Sequence, residues 1–255
     1  MPVDRVLHSQ PIRVSGAPSW ICPTCGAGRL KLDSSTLNYS KSGESARASS
    51  EDWYGPEHVE YRFATVLKCE NTDCREVSAI AGRGEVDEHP DDRMEHLEYE
   101  DVFYPTYFKP SPRLIVIPNR CPAEVRTELE AAFVGSWGEF ASSANRVRVA
   151  VELLLDALRI PKTSKTKTGK RSPLVLHKRI ESLPNRHDEI RTSLLAIKWI
   201  GNHGAHDPEI SRDAVFDALD IFESVLIALY SDNPRRIRRL VAAVNKRKGP
   251  TRRCK

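Results

Sequence analysis

Four of the six cysteines in the chain occur as two close pairs. Cys22 and Cys25 enclose two residues and are followed by Gly26, which gives a tight turn the backbone freedom it needs. Cys69 and Cys74 enclose four residues, a spacing that metal-binding pairs also use. Four thiolates complete a closed tetrahedron and leave no position for water or substrate. We therefore predict that these four cysteines bind zinc as a structural cofactor.

Two other interpretations of the cysteines remain open: they are unligated or redox-active, or they hold an iron-sulfur cluster. Six cysteines are too few for a disulfide scaffold in a chain of 255 residues, and close pairs in a reducing compartment indicate metal. Cys121 and Cys254 have no cysteine near them in the sequence, and we assign them no role.

The first residues contain no apolar run long enough for a signal peptide. No stretch of the sequence approaches the roughly 18 apolar residues that span a bilayer. We therefore expect a cytoplasmic protein without a membrane partner.

The net charge of +4 hides a strong asymmetry along the chain. Residues 233–255, the basic tail, contain ten Lys or Arg and no acid, so the remaining residues carry 29 bases against 35 acids. Such a tail could neutralise phosphates of RNA or DNA. The candidate contacts are Arg235, Arg236, Arg238, Arg239, Lys246, Arg247 and Lys248. The alternative is a solvated extension, or a helix end whose bases complement the helix dipole.

The segment from Glu85 to Asp101 has nine acids and only one Lys or Arg. A charge run of this kind is typical of a solvated linker. The prolines that follow, up to residue 118, favour extended backbone with at most one strand. We therefore predict an acidic and Pro-rich connector over residues 85–121.

The residues before this connector have the pattern of a small β module. Short β-like stretches occur at Tyr61–Leu67 and Val77–Ile80, bounded by turn residues. The Ser-rich segment from Asp33 to Ser50 has few large apolar groups, and we expect a mobile insertion there. Residues 1–84 are therefore predicted to form a zinc-ribbon-like module.

From Pro122 onward the apolar residues repeat at helical intervals. Helices are expected at about Pro122–Phe133, Gly138–Arg159, Leu174–Ser182, from His187, and at Ser211–Tyr230, with a polar basic loop over Lys162–Arg171. Such helices pack economically as a bundle, which we place at residues 122–232. The predicted fold class is α+β: the small β module is followed by a mainly α-helical bundle.

Two stretches of the helical part are distinctive: Arg148–Leu154 on the central helix, and Ile197–His206 at the end of the fourth helix. Through them, the region from about Pro105 to Asp232 resembles the domain-of-unknown-function 4145 family of bacterial and archaeal proteins, and Ile197–His206 is similar to that family's "GN..AH" signature. An N-terminal cysteine-pair module is also similar to arrangements found in that family. The resemblance implies a relation to the higher-eukaryote-and-prokaryote-nucleotide-binding superfamily, whose helical bundles often dimerise.

Some members of that superfamily are metal-independent ribonucleases of toxin and phage-defence systems. By resemblance, Asn202 and His206 match the polar residue and the catalytic His of their site, whereas Gly201 stands where an Arg is expected. Lys198 or Arg148 could supply the missing cation. A purely structural role for Asn202 and His206 at helix ends remains open, because Gly201 and Gly204 indicate a helix end or a close backbone approach.

These features favour a zinc-containing interaction protein, homodimeric and associated with nucleic acid, in a defence or toxin context. The alternative is a metal-independent ribonuclease that uses His206, with Arg148 and Glu152 either as an ion pair on one helix face or near that site.

Overall fold

The computed structural model describes residues 2–90, 97–165, 170–206, 210–231, 241–243 and 245–246, and the side chains of 90 and 203–206 lie outside this description. The chain folds into an antiparallel sheet followed by a group of helices. The predicted α+β fold class is therefore confirmed.

The six strands of the sheet all come from the first 109 residues. They are β1 (Ile12–Arg13), β2 (Leu30–Leu32), β3 (Asn38–Lys41), β4 (Glu60–Cys69), β5 (Val77–Pro90) and β6 (Leu97–Lys109). Their order is β1-β6-β5-β4-β2, and β3 also pairs with β4. Alternate residues of β4, from Phe63 to Cys69, are buried, as expected for a strand with one face on a core. The pairing of Leu30 with Cys69 brings the two cysteine segments together.

The prediction of a mobile insertion at Asp33–Ser50 is wrong. This segment contains β3 and a short helix, α2 (Gly43–Ala48). The Ser42 side chain accepts a hydrogen bond from the Ser45 backbone and caps this helix. Pairing with β4 and local capping satisfy the backbone, so this segment orders without much apolar burial.

The prediction of a solvated acidic linker is also wrong for the described residues. They lie on β5 and β6, which pair from Ala79 opposite Lys109 to Pro90 opposite Leu97. Arg13 of β1 forms ion pairs with Asp87 on β5 and Glu100 on β6, which offsets part of the acidic charge. The boundary predicted after residue 84 therefore falls inside β5.

The helical half agrees closely with the periodicity of the sequence. Its helices are α3 (Ala123–Gly135), α4 (Phe140–Ala157), α5 (Leu176–Glu181), α6 (Asp188–His206) and α7 (Arg212–Tyr230), after α1 (Arg5–Ser9) near the N-terminus. The central helix α4 packs against α3, α6 and α7, and its apolar face is fully buried. The segment Lys162–Arg171, predicted as a polar loop, instead contains a strand, β7 (Thr163–Lys165), which pairs with β8 (Arg171–Pro173). None of the described helices has both the length and the apolar character to cross a bilayer.

The two halves of the chain pack against each other around Trp137. This residue follows α3, and its ring lies 5.4 Å from Trp20 and 5.0 Å from Phe108 of the sheet core. The His8 ring contacts Trp137 at 4.7 Å and Phe216 of α7 at 5.6 Å. The N-terminal segment thus joins the sheet to the bundle.

Candidate metal centre

The first cysteine pair lies on a tight loop that leads into β2. The Cys22 N–H donates to the Gly28 carbonyl at 2.8 Å, and the Gly26 N–H donates to the Cys22 carbonyl at 3.0 Å. Gly26 adopts a positive φ of 65°, a conformation that favours glycine. The Gly28 N–H lies 3.3 Å from the Cys25 Sγ and donates to it. The loop therefore orients a backbone donor toward a thiolate.

The second pair lies where β4 turns into β5. The Cys69 N–H donates to the Glu76 carbonyl at 2.8 Å, which closes the turn at its base. Within the turn, the Asn71 carbonyl accepts from the Cys74 N–H at 3.0 Å and from the Arg75 N–H at 3.1 Å. The turn thus holds Cys69 and Cys74 on the same side.

The four sulfur atoms form a compact group. The Sγ atoms of Cys22 and Cys74 are 3.8 Å apart, those of Cys25 and Cys69 are 3.7 Å apart, and all four lie within 4.8 Å of one another. These cysteines are free thiols rather than disulfides. A tetrahedral zinc ion with Zn–S bonds of about 2.3 Å separates its sulfurs by about 3.8 Å. The cluster therefore has the size and donor set of a metal site.

The thiols titrate differently in the protein. Backbone N–H donors of Gly28 and Ala27 lower the pKa of Cys25 to about 6. Burial raises the pKa of Cys69 to about 12, and the neighbouring thiols Cys22 and Cys25 act in the same direction. A cation bound by the four sulfurs would stabilise every thiolate that contacts it, and so would lower the pKa of Cys69 as well as that of Cys25.

Gly28 is a site residue that the sequence analysis missed. A Cβ at this position would lie 2.5 Å from the Cys69 Sγ and 3.2 Å from the Asn71 backbone N. Only glycine therefore lets the first loop approach the second pair this closely. The signal in the sequence was the second glycine after Cys25, in Cys25-Gly26-Ala27-Gly28.

The glycine-containing stretch of α6 lies against α4. A Cβ on Gly201 would lie 3.0 Å from the Arg148 Cβ and 3.4 Å from the Ala144 carbonyl oxygen. Gly201 is therefore a place of close helix approach, one of the two possibilities stated for it. Arg148 and Glu152 are 3.6 Å apart, as expected for an ion pair one turn apart.

The remaining candidate residues are only partly described. Asn202 lies within α6, one turn before His206, the last residue of that helix, whose side chain is outside the described part. The Lys198 Nζ lies 3.5 Å from the centre of the Trp199 ring. Lys246 is exposed and helical. The other tail candidates (Arg235, Arg236, Arg238, Arg239, Arg247 and Lys248) lie outside the described residues, as does Cys254.

Family comparisons divide the chain in two. Residues 10–108 match a family model described as Domain of unknown function (DUF8608), and residues 129–248 match one described as Domain of unknown function (DUF4145). No curated protein and no solved structure is significantly similar to the chain. The first match ends one residue before the end of β6, the last strand of the sheet in the sequence. The second match supports the resemblance of the helical half to the 4145 family.

Proposed function

We propose that the chain is a zinc-stabilised interaction protein that binds nucleic acid. The observation that carries the metal part is the spacing of the cysteine sulfurs, 3.7 and 3.8 Å across two pairs. Four thiolates suit zinc and leave no coordination position for a reactant, so the ion stabilises the fold and does not catalyse.

The structural role of the ion follows from where its ligands lie. Cys22 and Cys69 belong to the buried core of the sheet, together with Trp20 and Leu30. Cys22 and Cys69 are 47 residues apart in the sequence and lie on different loops. The strand β2, which pairs with the strand that ends at Cys69, is only three residues long. A metal ion bound by both loops would link these segments, because structural zinc contributes its binding energy to folding.

Nucleic acid is the partner that the charge distribution favours. The basic tail has ten Lys or Arg and no acid, while residues 1–232 have a net charge of −6, the difference between 29 bases and 35 acids. Such a segment binds polyanions through phosphate neutralisation, with an affinity that falls steeply with salt. By the resemblance of the helical half, we place this activity in a homodimer of a defence or toxin system in the cytoplasm.

The metal part is tested by elemental analysis of the purified protein. We expect one zinc per chain, and we expect Cys69→Ser to lose the ion and to unfold at a lower temperature. Cys121→Ser is the matched control, because Cys121 is also buried but lies outside the cluster. Iron together with visible absorption from an iron-sulfur cluster would contradict the zinc assignment.

The nucleic-acid part is tested by binding of the wild-type protein to a mixed RNA pool at several salt concentrations. Retention at low salt that disappears at high salt is the expected result. A variant in which the seven candidate bases of the basic tail are replaced by Gln should lose much of this retention at low salt. Binding that does not change with salt would contradict the phosphate-neutralisation mechanism.

The alternative, a metal-independent ribonuclease that uses His206, rests on one contact. The aliphatic part of the Arg148 side chain packs against Gly201. A Cβ built on Gly201 would lie 3.3 Å from the Arg148 Cδ. A guanidinium group from α4 thus lies beside the position where the family resemblance expects an Arg. It could neutralise a phosphate while His206 moves a proton.

This alternative is tested by incubating RNA with the wild type, His206→Ala and Arg148→Lys without added metal. Cleavage by the wild type alone would establish the ribonuclease. Intact RNA in all three samples, with binding retained, would leave the interaction protein as the function.

A further inference from the structure

A charged cavity of about 520 Å³ lies between α4, α5 and the segment that carries β7 and β8. Its ionic lining consists of Arg148, Glu152 and Asp156 from α4, Lys162, and Arg179 from α5. We call this cavity the Arg148 pocket. It lies in the helical half, away from the four-cysteine cluster.

The pocket has an excess of positive charge. The Asp156 carboxylate accepts from Lys162 at 2.7 Å and from Arg179 at 2.6 Å, and so bridges two cations. Glu152 lies 3.6 Å from Arg148, a long ion pair. Three cations therefore face two carboxylates, which leaves one positive charge for an external anion.

Two guanidinium nitrogens in the pocket lack hydrogen-bond partners. The Nε atoms of Arg148 and Arg179 are buried and unpaired among the described residues. The Arg179 side chain is only 7% exposed, so bulk water has little access to hydrogen-bond with its Nε. A buried donor without an acceptor is costly, and an anionic oxygen in the cavity would satisfy it.

The chain between α4 and α5, which we call the rim of the pocket, adds further positive charge. In its described part, residues 158–165 and 170–175, it has five bases and no acid: Arg159, Lys162, Lys165, Lys170 and Arg171. In the pairing of β7 with β8, Lys165 lies directly opposite Arg171. Like charges in directly opposite positions repel each other, and an anion between them removes the repulsion.

An exposed indole lies beside this basic region. Trp199 on α6 is 57% exposed, and its ring lies 6.2 Å from that of His177, the residue after Leu176 of the pocket lining. An aromatic ring next to a basic groove is the arrangement on which proteins stack the bases of a single strand.

We propose that the Arg148 pocket and its rim bind the phosphodiester backbone of a single-stranded nucleic acid, with a base stacked on Trp199. Phosphate oxygens accept hydrogen bonds from Arg148 and Arg179, while Lys162 and the Lys165–Arg171 pair neutralise neighbouring phosphates. This inference rests on the proposed nucleic-acid function and places its site on the bundle, in addition to the basic tail.

The test measures binding of fluorescent single-stranded oligouridine and oligodeoxythymidine by anisotropy over a range of salt concentrations. The two strands distinguish RNA from DNA as the source of the phosphates. Trp199→Ala is paired with Trp53→Ala, because Trp53 is similarly exposed, at 58%, but lies in the sheet half. Lys162→Gln/Lys165→Gln is paired with Lys31→Gln/Arg62→Gln, which removes the same charge from exposed positions of the sheet.

We expect Trp199→Ala to weaken binding about tenfold, the effect of losing one stacked base. The Lys162/Lys165 variant should lower the slope of log affinity against log salt by about 1.4, or about 0.7 for each lost phosphate contact. Both control variants should bind like the wild type. Equal melting temperatures of all variants establish that the differences arise from binding.

Two results overturn the inference, and they differ in what they imply. If the pocket variants bind like their controls while neutralising the basic tail abolishes binding, the pocket is not the site and the proposed function stands. If the wild type binds neither strand even at low salt, the nucleic-acid function itself fails.

Discussion

His8 lies at the junction of the two halves, and its burial makes the stability of that junction sensitive to pH. Its side chain packs against Trp137 and Phe216 and is only 8% exposed. Burial lowers the pKa of His8 from 6.5 to about 4; the positive charge of Arg212 acts in the same direction, whereas Asp4 opposes it. The folded protein therefore holds this imidazole neutral.

The sign and size of the effect follow from linkage. Between pH 6.5 and about 4 the unfolded chain binds a proton that the folded chain does not, so stability is lost as the pH falls through this window. At about 1.36 kcal/mol for each pKa unit, His8 alone costs about 2 kcal/mol between pH 7 and pH 5. The variant His8→Phe keeps a buried ring but cannot take up the proton.

The assay is urea unfolding at pH 7 and pH 5, compared between wild type and His8→Phe. Other titrating groups, including the cysteines, contribute to both proteins and cancel in the comparison. We expect the wild type to lose about 2 kcal/mol more than the variant on acidification. His58→Ala, which removes an exposed imidazole, should behave like the wild type. Equal losses in wild type and His8→Phe would refute the burial of a neutral His8 between the two halves.

Three further substitutions test two close contacts and one backbone conformation. Gly28→Ala places a Cβ 2.5 Å from the Cys69 Sγ and should weaken zinc binding at least tenfold in a chelator competition. The control Gly16→Ala places its Cβ more than 4 Å from any heavy atom beyond its neighbours in the chain and should bind zinc normally. Gly201→Ala gains about 1 kcal/mol of helix propensity, but its Cβ clashes with α4 at a cost of about 1 to 3 kcal/mol. Urea unfolding should therefore show a lower free energy of unfolding for this variant. A higher free energy of unfolding would contradict the close approach of α4 and α6. Arg159, just after α4, has a φ of 60°, a conformation that favours glycine. Arg159→Gly should therefore raise the free energy of unfolding by about 1 kcal/mol. An equal increase in Arg159→Ala would show that the loss of charge, rather than relief of backbone strain, is responsible.

The features that were predictable from sequence are those set by short-range patterns. Residues such as Val125 and Leu129 lie four positions apart, so one turn of helix reveals the buried face of α3. The cysteine cluster was predictable in the same way, because each pair is held within its own loop. In both cases neighbours in the sequence are neighbours in space.

The features that the sequence analysis missed depend on distant partners. Arg13 meets Asp87, 74 residues away, and this contact helps an acidic segment to lie in a sheet. Nothing in the local composition of Glu85–Asp101 indicates that partner. Likewise Asn38–Lys41 forms a strand because β4 offers an edge at Tyr61–Ala64, at least twenty positions later in the sequence. Local polarity favoured linkers in both places, and tertiary pairing overrode it.

The same distinction leads us to expect that this part of the sheet depends on the cysteine cluster more than on its edge strands. On one edge of β4, β2 has three residues and β3 has four, and short edge strands form few ladder bonds of their own. The cysteine pairs lie at the end of that edge, where Leu30 pairs with Cys69. An ion held by both loops would fix this register at a single point, after which the pairing of Lys31 and Leu32 would follow at little further entropic cost. A metal ion bound at this end of the edge would therefore provide what the local sequence of β2 cannot: a fixed position from which a three-residue strand can pair.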